Sequence, residues 1–243
     1  MRLTRVYVDA ALTAGARGLV SGSAANHIAR VLRLGAGDAL TLFDGRGGEY
    51  AARIELLRKD AVEVAIGEHV AVERESPLAV TLAQGISRGE RMDWVMQKAT
   101  ELGVRRIVPL FTARSMVRLD AHQAEKKFQH WHGIVVAACE QSGRNRLPEL
   151  QAPTDLEEFL AGAAASEDMC LLLSPAGRVR ISALKPGKKI TVLIGPEGGL
   201  APEESAAASA RGFMAVQLGP RILRTETAAI AALAALQAAL GDI

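Results

Sequence analysis

Aromatic side chains are scarce in this chain of 243 residues, at 4%: two tryptophans, two tyrosines and five phenylalanines. A core built on stacked rings is excluded, and Ala, Val and Leu must carry the interior within an apolar content of 49%. Cysteine is scarcer still. Cys139 and Cys170 stand far apart with no paired spacing. That excludes a disulfide scaffold and a zinc ribbon, and it fits a reducing cytoplasm. No apolar signal-peptide core follows the opening "MRLTRVYVDA". The longest apolar run, "AAIAALAALQAAL", is Ala-rich and broken by Gln237, so it reads as a buried helix rather than a membrane span. The expectation is a soluble cytoplasmic protein. A net charge of +2 does not by itself announce a nucleic-acid binder.

Several chemistries lack their motifs. No G-x-x-x-x-G-K-[ST] is present to cradle a triphosphate, and no G-x-G-x-x-G follows a strand. The G-x-S-x-G elbow and H-E-x-x-H are missing too. The histidines, at 27, 69, 122, 130 and 132, form no ligand pattern, so no metal is expected.

What is present has two textures. Residues 1–72 read mostly as short strands: "RLTRVYV", "DALTLFD" (38–44) and "AVEVAIGEHV" (61–70) alternate with period two. "DGRGG" (44–48) marks a hairpin turn. One helix, "SAANHIARVLRL", interrupts them, with Ser23 placed as its N-cap. A small β-barrel follows from this pattern. "AVERESPLAV" is a linker, and residues 77–243 alternate strands and helices as an α/β domain. "RGERMDWVMQKATELG" has Met92, Val95, Met96, Ala99 and Leu102 on one face and Gly103 at its end. "AHQAEKKFQHWHGIVVAACEQSG" turns Phe128, Trp131, Ile134, Val135 and Ala138 inward. "MCLLLSP", "KKITVLIG" and "FMAVQLG" are short apolar runs suited to buried parallel strands.

Three loops stand at the carboxyl ends of such strands: "LLLSPAG" (171–177), "LIGPEGGL" (193–200) and "LGPRILRTETAA" (218–229). Open α/β sheets bind ligands there. Glycines let the backbone approach a flat ligand closely. Neutral loops without a following lysine suit an adenosine moiety held by backbone groups better than a triphosphate. Ordinary strand-to-helix turns, with Glu203 or Thr225 serving helix starts, are the alternative.

"IGPEGG" followed by a glutamate, then "LGPRILRTETA", closely resembles the signature of the ribosomal RNA small subunit methyltransferase E family. "HIARVLRLGAGDALTLFDGRGGEY", "MDWVMQKATELGVRRIVPLFTARS" and "AACEQSGRNRLPE" extend the resemblance over nearly the whole chain. Thr225 and Leu200 stand where common variants of the pattern carry Ala and Phe. The resemblance implies a PUA-like N-terminal β-barrel and a SPOUT-type α/β domain with a parallel sheet and a deep trefoil knot. It implies S-adenosylmethionine as cofactor, methylation of N3 of a uridine in 16S rRNA, rRNA or the small ribosomal subunit as partner, and a homodimer. The cofactor site it implies is drawn from Leu172, Leu173, Ser174, Ile194, Gly195, Pro196, Glu197, Gly198, Gly199, Leu218, Gly219, Ile222, Leu223, Arg224 and Thr225. A SPOUT enzyme acting on another RNA atom, such as a ribose 2′-hydroxyl, is one rival reading. A catalytically silent RNA-binding or assembly factor is another.

Methyl transfer to uridine N3 requires loss of the N3 proton and stabilisation of charge on the uracil carbonyls. Arg224, with its planar fork, is the candidate for that charge, or else forms an ion pair with Glu226 or Glu197. Glu226 is the second catalytic candidate, orienting Arg224 or accepting the proton; capping the helix near Thr225 is its alternative. Glu197 is a base or a loop organiser. Residues 86–146 hold eleven basic residues against six acidic ones, a net charge of +5. Arg144 and Arg146, with Glu140 and Gln141 in "EQSGRNR", bind RNA phosphate, reach the active site, or complement a helix C-terminus. His27, Arg30 and Arg33 fall within one arc of the first helix, as an RNA stripe or a solvated face.

Overall fold

A computed structural model describes residues 4–115, 120–163, 169–184, 187 and 189–243. Arg118 of the basic stretch and the first residues of "RLTRVYV" lie outside the described residues. The chain divides into two compact units, Met1–Glu75 with Cys139–Leu147, and Ser76–Ala138 with Pro148–Ile243.

The first unit contains β1 (Arg5–Tyr7), β2 (Arg17–Ser21), α1 (Gly22–Asn26), β3 (Ala39–Phe43), β4 (Glu49–Leu57) and β5 (Ala61–Val70). The sheet order is β1-β3-β4-β5-β2, parallel between β1 and β3 and antiparallel elsewhere. Period-two alternation decides which side chains enter the core. Leu40 and Leu42 of β3 and Val62, Val64 and Ile66 of β5 are buried with Val6, Val20, Ile28 and Ile54. "DGRGG" is the turn between the antiparallel strands β3 and β4, and Gly45, Gly47 and Gly48 take positive φ there. The first helix differs from its sequence reading. Its N-cap is Ser21, not Ser23, and after Asn26 it widens into a π turn over His27–Val31. Arg33 lies past the helix end with φ 53°, so His27, Arg30 and Arg33 do not share one regular helical arc.

Residues 139–147 were expected within the second domain but group with the first unit. Buried polar groups account for this. Arg5 pairs with Glu49 and donates to the Arg144 carbonyl at 3.0 Å and to Asn145 Oδ1 at 2.6 Å. Arg144 donates to Glu75 through Nε at 2.9 Å and Nη2 at 2.6 Å. Asn145 Nδ2 donates to the Val72 carbonyl at 2.7 Å, and Glu140 accepts the Tyr7 N–H at 3.0 Å. Charges taken out of water are tolerated when paired and hydrogen-bonded in this way.

The second unit contains β6 (Ala79–Gly85), α2 (Glu90–Glu101), β7 (Arg106–Phe111), most of α3 (Ala121–Ser142), β8 (Glu149–Leu150), β9 (Thr154–Asp155) and α4 (Leu156–Ala163). It continues with β10 (Met169–Leu173), β11 (Val179–Arg180), β12 (Lys189–Ile194), α5 (Pro202–Ala210), β13 (Met214–Gln217) and α6 (Thr225–Leu240). Every pairing is parallel, in the order β11-β13-β10-β12-β6-β7-β8, with β9 also beside β7. Strands buried on both faces explain the nearly continuous apolar runs. Pro109 fits inside β7 because β8 pairs residues 106–107 and β9 pairs 110–111, leaving a break in that ladder at the proline.

Helix α2 buries Met92, Val95, Met96 and Ala99, and Gly103 follows it at φ 76°. It packs on α6, which buries Ala229, Ala232, Leu233 and Leu236. In α3, Trp131, Val135 and Ala138 are buried, whereas Phe128 and Ile134 are half-buried. Among the described residues no helix is long and apolar enough to cross a membrane.

Candidate active site

Strands β13, β10 and β12 are neighbours, so the loops that follow them emerge side by side. They line one cavity of about 600 Å³. Leu173, Ser174 and Pro175 come from the first loop, Ile194 to Gly199 from the second, and Gln217 to Glu226, save Pro220, from the third. Arg91 reaches it from α2. The volume is ordinary for a small-molecule site. At Gly199 (φ 67°) and Gly219 (φ 134°) an added Cβ would meet nothing within 4 Å, so the backbone there borders open space.

Gly195 plays a different part. Its φ is not in the left-handed region. A Cβ there would lie 2.8 Å from Gly199 C and Leu200 N, so the missing side chain lets the loop fold on itself. Leu172, by contrast, does not line the cavity. Side chains alternate along β10, and Leu172 joins Cys170 in the core on the other side.

Charges around the cavity are ordered. Glu197 Oε1 accepts the Arg88 N–H at 2.9 Å and pairs with Arg91 at 2.7 Å. Burial alone would raise the Glu197 pKa, but these bonds and the Arg91 charge outweigh it and hold the carboxyl below its usual range. These contacts tie the second loop to the start of α2, as expected of a loop organiser. Arg114 Nη1 donates to the Gly198 carbonyl at 3.0 Å. Arg224 is the exposed N-cap residue of α6. Among the described residues it forms no ion pair with Glu226 or Glu197. Glu226 is half-buried in the first turn of α6. The Oε2 atoms of Glu197 and Glu226 are both buried without a hydrogen-bond partner.

Three comparisons bear on this site. An RNA methyltransferase domain family matches residues 74–237, and an RNA methyltransferase PUA domain family matches residues 20–67. The ribosomal RNA small subunit methyltransferase E of Bacillus subtilis is 32% identical, over 97% of this chain and 94% of its own length. The chain belongs to the ribosomal RNA small subunit methyltransferase E family. Two solved structures are similar over 100% of both chains. A methyltransferase from Legionella pneumophila, in complex with the bound cofactor SAM, is 43% identical with a TM-score of 0.96. The family member from Neisseria gonorrhoeae, bound to S-adenosyl methionine, is 39% identical with a TM-score of 0.92. The PUA match covers much of the first unit, and the methyltransferase match contains the cavity.

The other residues expected in this family's RNA contacts separate. Arg30 and Arg33 are exposed and His27 is half-buried. The Arg146 side chain is 52% exposed beside Glu73 at 3.2 Å. Arg144 is a correction. Its side chain is 3% exposed and its fork is committed to Glu75, so it serves the first unit's structure rather than an RNA phosphate. Much of the +5 charge of residues 86–146 is likewise offset from outside the stretch, by Glu197 on Arg91, Glu149 on Arg106, Glu75 on Arg144 and Glu73 on Arg146.

Arg91, Pro175, Gln217, Arg221 and Ala228 line the cavity without having been expected there. Arg91 sits in the first turn of a helix whose sequence signal was its apolar face, and the polar face gave no cue. A larger cavity of about 820 Å³ lies among residues 111–115, α4 and α5. It carries Asp155, Glu157, Glu203 and Glu204 against Arg211 and has no glycine loop. Chemistry favours the smaller cavity. Among the described residues no group of three or more His, Cys, Asp or Glu could hold a metal ion.

Proposed function

We propose that this protein uses S-adenosylmethionine to methylate N3 of a uridine in 16S rRNA, acting in the cytoplasm on rRNA or the small ribosomal subunit. The observation that carries the reading is the convergence of three strand-end loops on one cavity bordered by Gly199, Gly219, Arg224 and Glu226. The buried Glu197 Oε2, without a partner, suits a positive group of the cofactor. Open space at the two glycines suits close contact with a flat adenosine. Residues of the three loops, Leu173, Ser174, Ile194–Gly199, Leu218, Gly219 and Ile222–Thr225, would hold it.

When bound, the cofactor supplies the methyl group from a sulfonium. The chain's residues prepare the acceptor. Arg224, exposed and without an ion pair to either nearby glutamate, sets a fixed charge against the uracil carbonyl as the N3 anion develops. Glu226 accepts the N3 proton through its unpartnered Oε2, directly or through water. The N3–methyl bond forms as the sulfonium–methyl bond breaks, and the proton leaves with the carboxylate.

The first domain, 1–72 in the sequence reading, recognises RNA through Arg30, Arg33 and His27, together with Arg146 from the segment 139–147 that groups with it. The second, 77–243, carries the catalytic site and folds as a SPOUT domain with a trefoil knot. Two copies pair through the second domain. Support for pairing comes from a cavity of about 550 Å³ lined by Trp94, Ile230 and Ala231, with Trp94 55% exposed. The test is single-turnover reaction with 16S rRNA or 30S subunits and mass spectrometry of the nucleosides. N3-methyluridine is the expected product. A 2′-O-methylated product, or none, would overturn the reading.

A further inference from the structure

Gln84 is fully buried near the end of β6, where a leucine would cost less to bury. Its register partners are Ile194, the residue before Gly195, and Pro109. The carboxamide Nε2 donates to the Gly85 carbonyl at 3.0 Å, the Gly195 carbonyl at 3.3 Å and the Thr225 hydroxyl at 3.0 Å. Thr225 in turn donates its own proton to the Gly195 carbonyl at 2.8 Å. Carbonyls on the Nε2 side fix which way the amide points, because a flipped oxygen would face two acceptors. Gly85 completes the seat. A Cβ at that position would lie 2.5 Å from Pro196 N and Cδ, so β6 is pressed against the 195–196 peptide.

These contacts tie two separate parts of the cavity wall. Gly195 opens the "IGPEGG" loop, and Thr225 is the residue after Arg224. The Arg224 side chain makes no capping bond to α6; its carbonyl accepts the Ala228 N–H at 2.8 Å, and Thr225 beside it ties this helix start to Gly195 and Gln84. We propose that Gln84 is a positioning residue for methyl transfer, locking the Gly195 carbonyl and the Thr225 hydroxyl into one hydrogen-bonded unit that sets the cofactor loop and the Arg224 turn in register. The inference rests on the proposed methyltransferase reading. Gln84 itself lies outside the cavity lining, and its effect passes through the two loops. Donor and acceptor in series strengthen one another in a dry site.

The test compares wild type with Gln84→Leu, Gln84→Glu, Thr225→Val and the Gln84→Leu/Thr225→Val double variant. Melting temperature, S-adenosylmethionine affinity by calorimetry, and kcat and KM for rRNA methylation are measured well below the melting point. Each single variant should weaken the cofactor about tenfold and lower kcat by at least as much, with rRNA KM changed less than about twofold. The double variant should lose no more than the worse single one, because both cut one link. Gln84→Glu should regain activity relative to wild type as pH falls, since only the protonated acid can donate to the carbonyls. Cofactor affinity and kcat within about twofold of wild type in both Thr225→Val and a folded Gln84 variant would overturn the proposal, whatever the melting temperature. Additive losses in the double variant would overturn it too. If Gln84→Leu does not fold, Gln84→Glu and Thr225→Val decide by the same measurements. A wild type that neither binds the cofactor nor methylates rRNA overturns the functional reading, and this inference with it.

Discussion

Arg224 and Glu140 show how a single side chain's surroundings set its expected effect. In the proposed mechanism Arg224 meets the uracil oxygen mainly as charge develops, and so would act on the transition state more than on either bound partner. Arg224→Ala should fold and bind S-adenosylmethionine nearly normally, yet transfer methyl slower by on the order of 10²–10³. Arg224→Lys should recover only part, because a point charge cannot reproduce the planar fork. Raising pH favours the N3 anion and should narrow the gap, which single-turnover rates across pH will read. Glu140 is perturbed in the opposite sense from Glu197. Burial pushes its carboxyl up, against the lowering effect of the Tyr7 N–H and the nearby His27 and Arg5 charges. A raised carboxyl contributes most when neutral, and that contribution is lost as pH rises through the folded-state pKa. Glu140→Gln should therefore raise the melting temperature at pH 8 by more than at pH 4, as calorimetric scans at the two pH values will show.

Glycine loops and the buried network set the element-scale expectations. The role of Gly195 is contact between loop segments rather than a left-handed backbone. Gly195→Val must push the Gly199–Leu200 backbone away, and cofactor binding measured by calorimetry should be lost. In the first unit Arg144 and Arg146 lie two residues apart and differ completely. Arg144→Ala leaves Glu75 without its fork and should cost about 3 kcal/mol of stability in denaturant titration. Arg146→Glu should leave stability within about 0.5 kcal/mol of wild type, because its pair is exposed, and should weaken rRNA binding instead.

At the scale of the whole molecule, pairing and charge are the testable properties. Light scattering should give the mass of two chains. Trp94→Glu, placing a charge on the exposed face of α2, should shift the protein to a monomer. Binding to rRNA should weaken steeply with salt as phosphate contacts release counterions. A flat dependence between low and high salt would mean that the exposed arginines are only solvated.

Local pattern by itself determined the longer strands of both units, the apolar faces of α2 and α3, and the three glycine loops, because periodicity and turn chemistry are properties of neighbouring residues; β2, β8, β9 and β11 carried no such signal. It also carried the family, through "IGPEGG" and "LRTETA". Parallel order alone brought residues 173–175, 194–199 and 217–226 to one cavity, since strands far apart in sequence became neighbours. Arg144 and Arg146 look alike in a string of letters, yet only the fold puts Glu75 against one and leaves the other at the surface. Gln84 reads as an ordinary strand residue; its carboxamide acquires a task because Gly195 and Thr225, 111 and 141 residues away, arrive at its tip. Burial and long-range hydrogen bonds depend on what the rest of the chain encloses, and no short window of sequence contains that information.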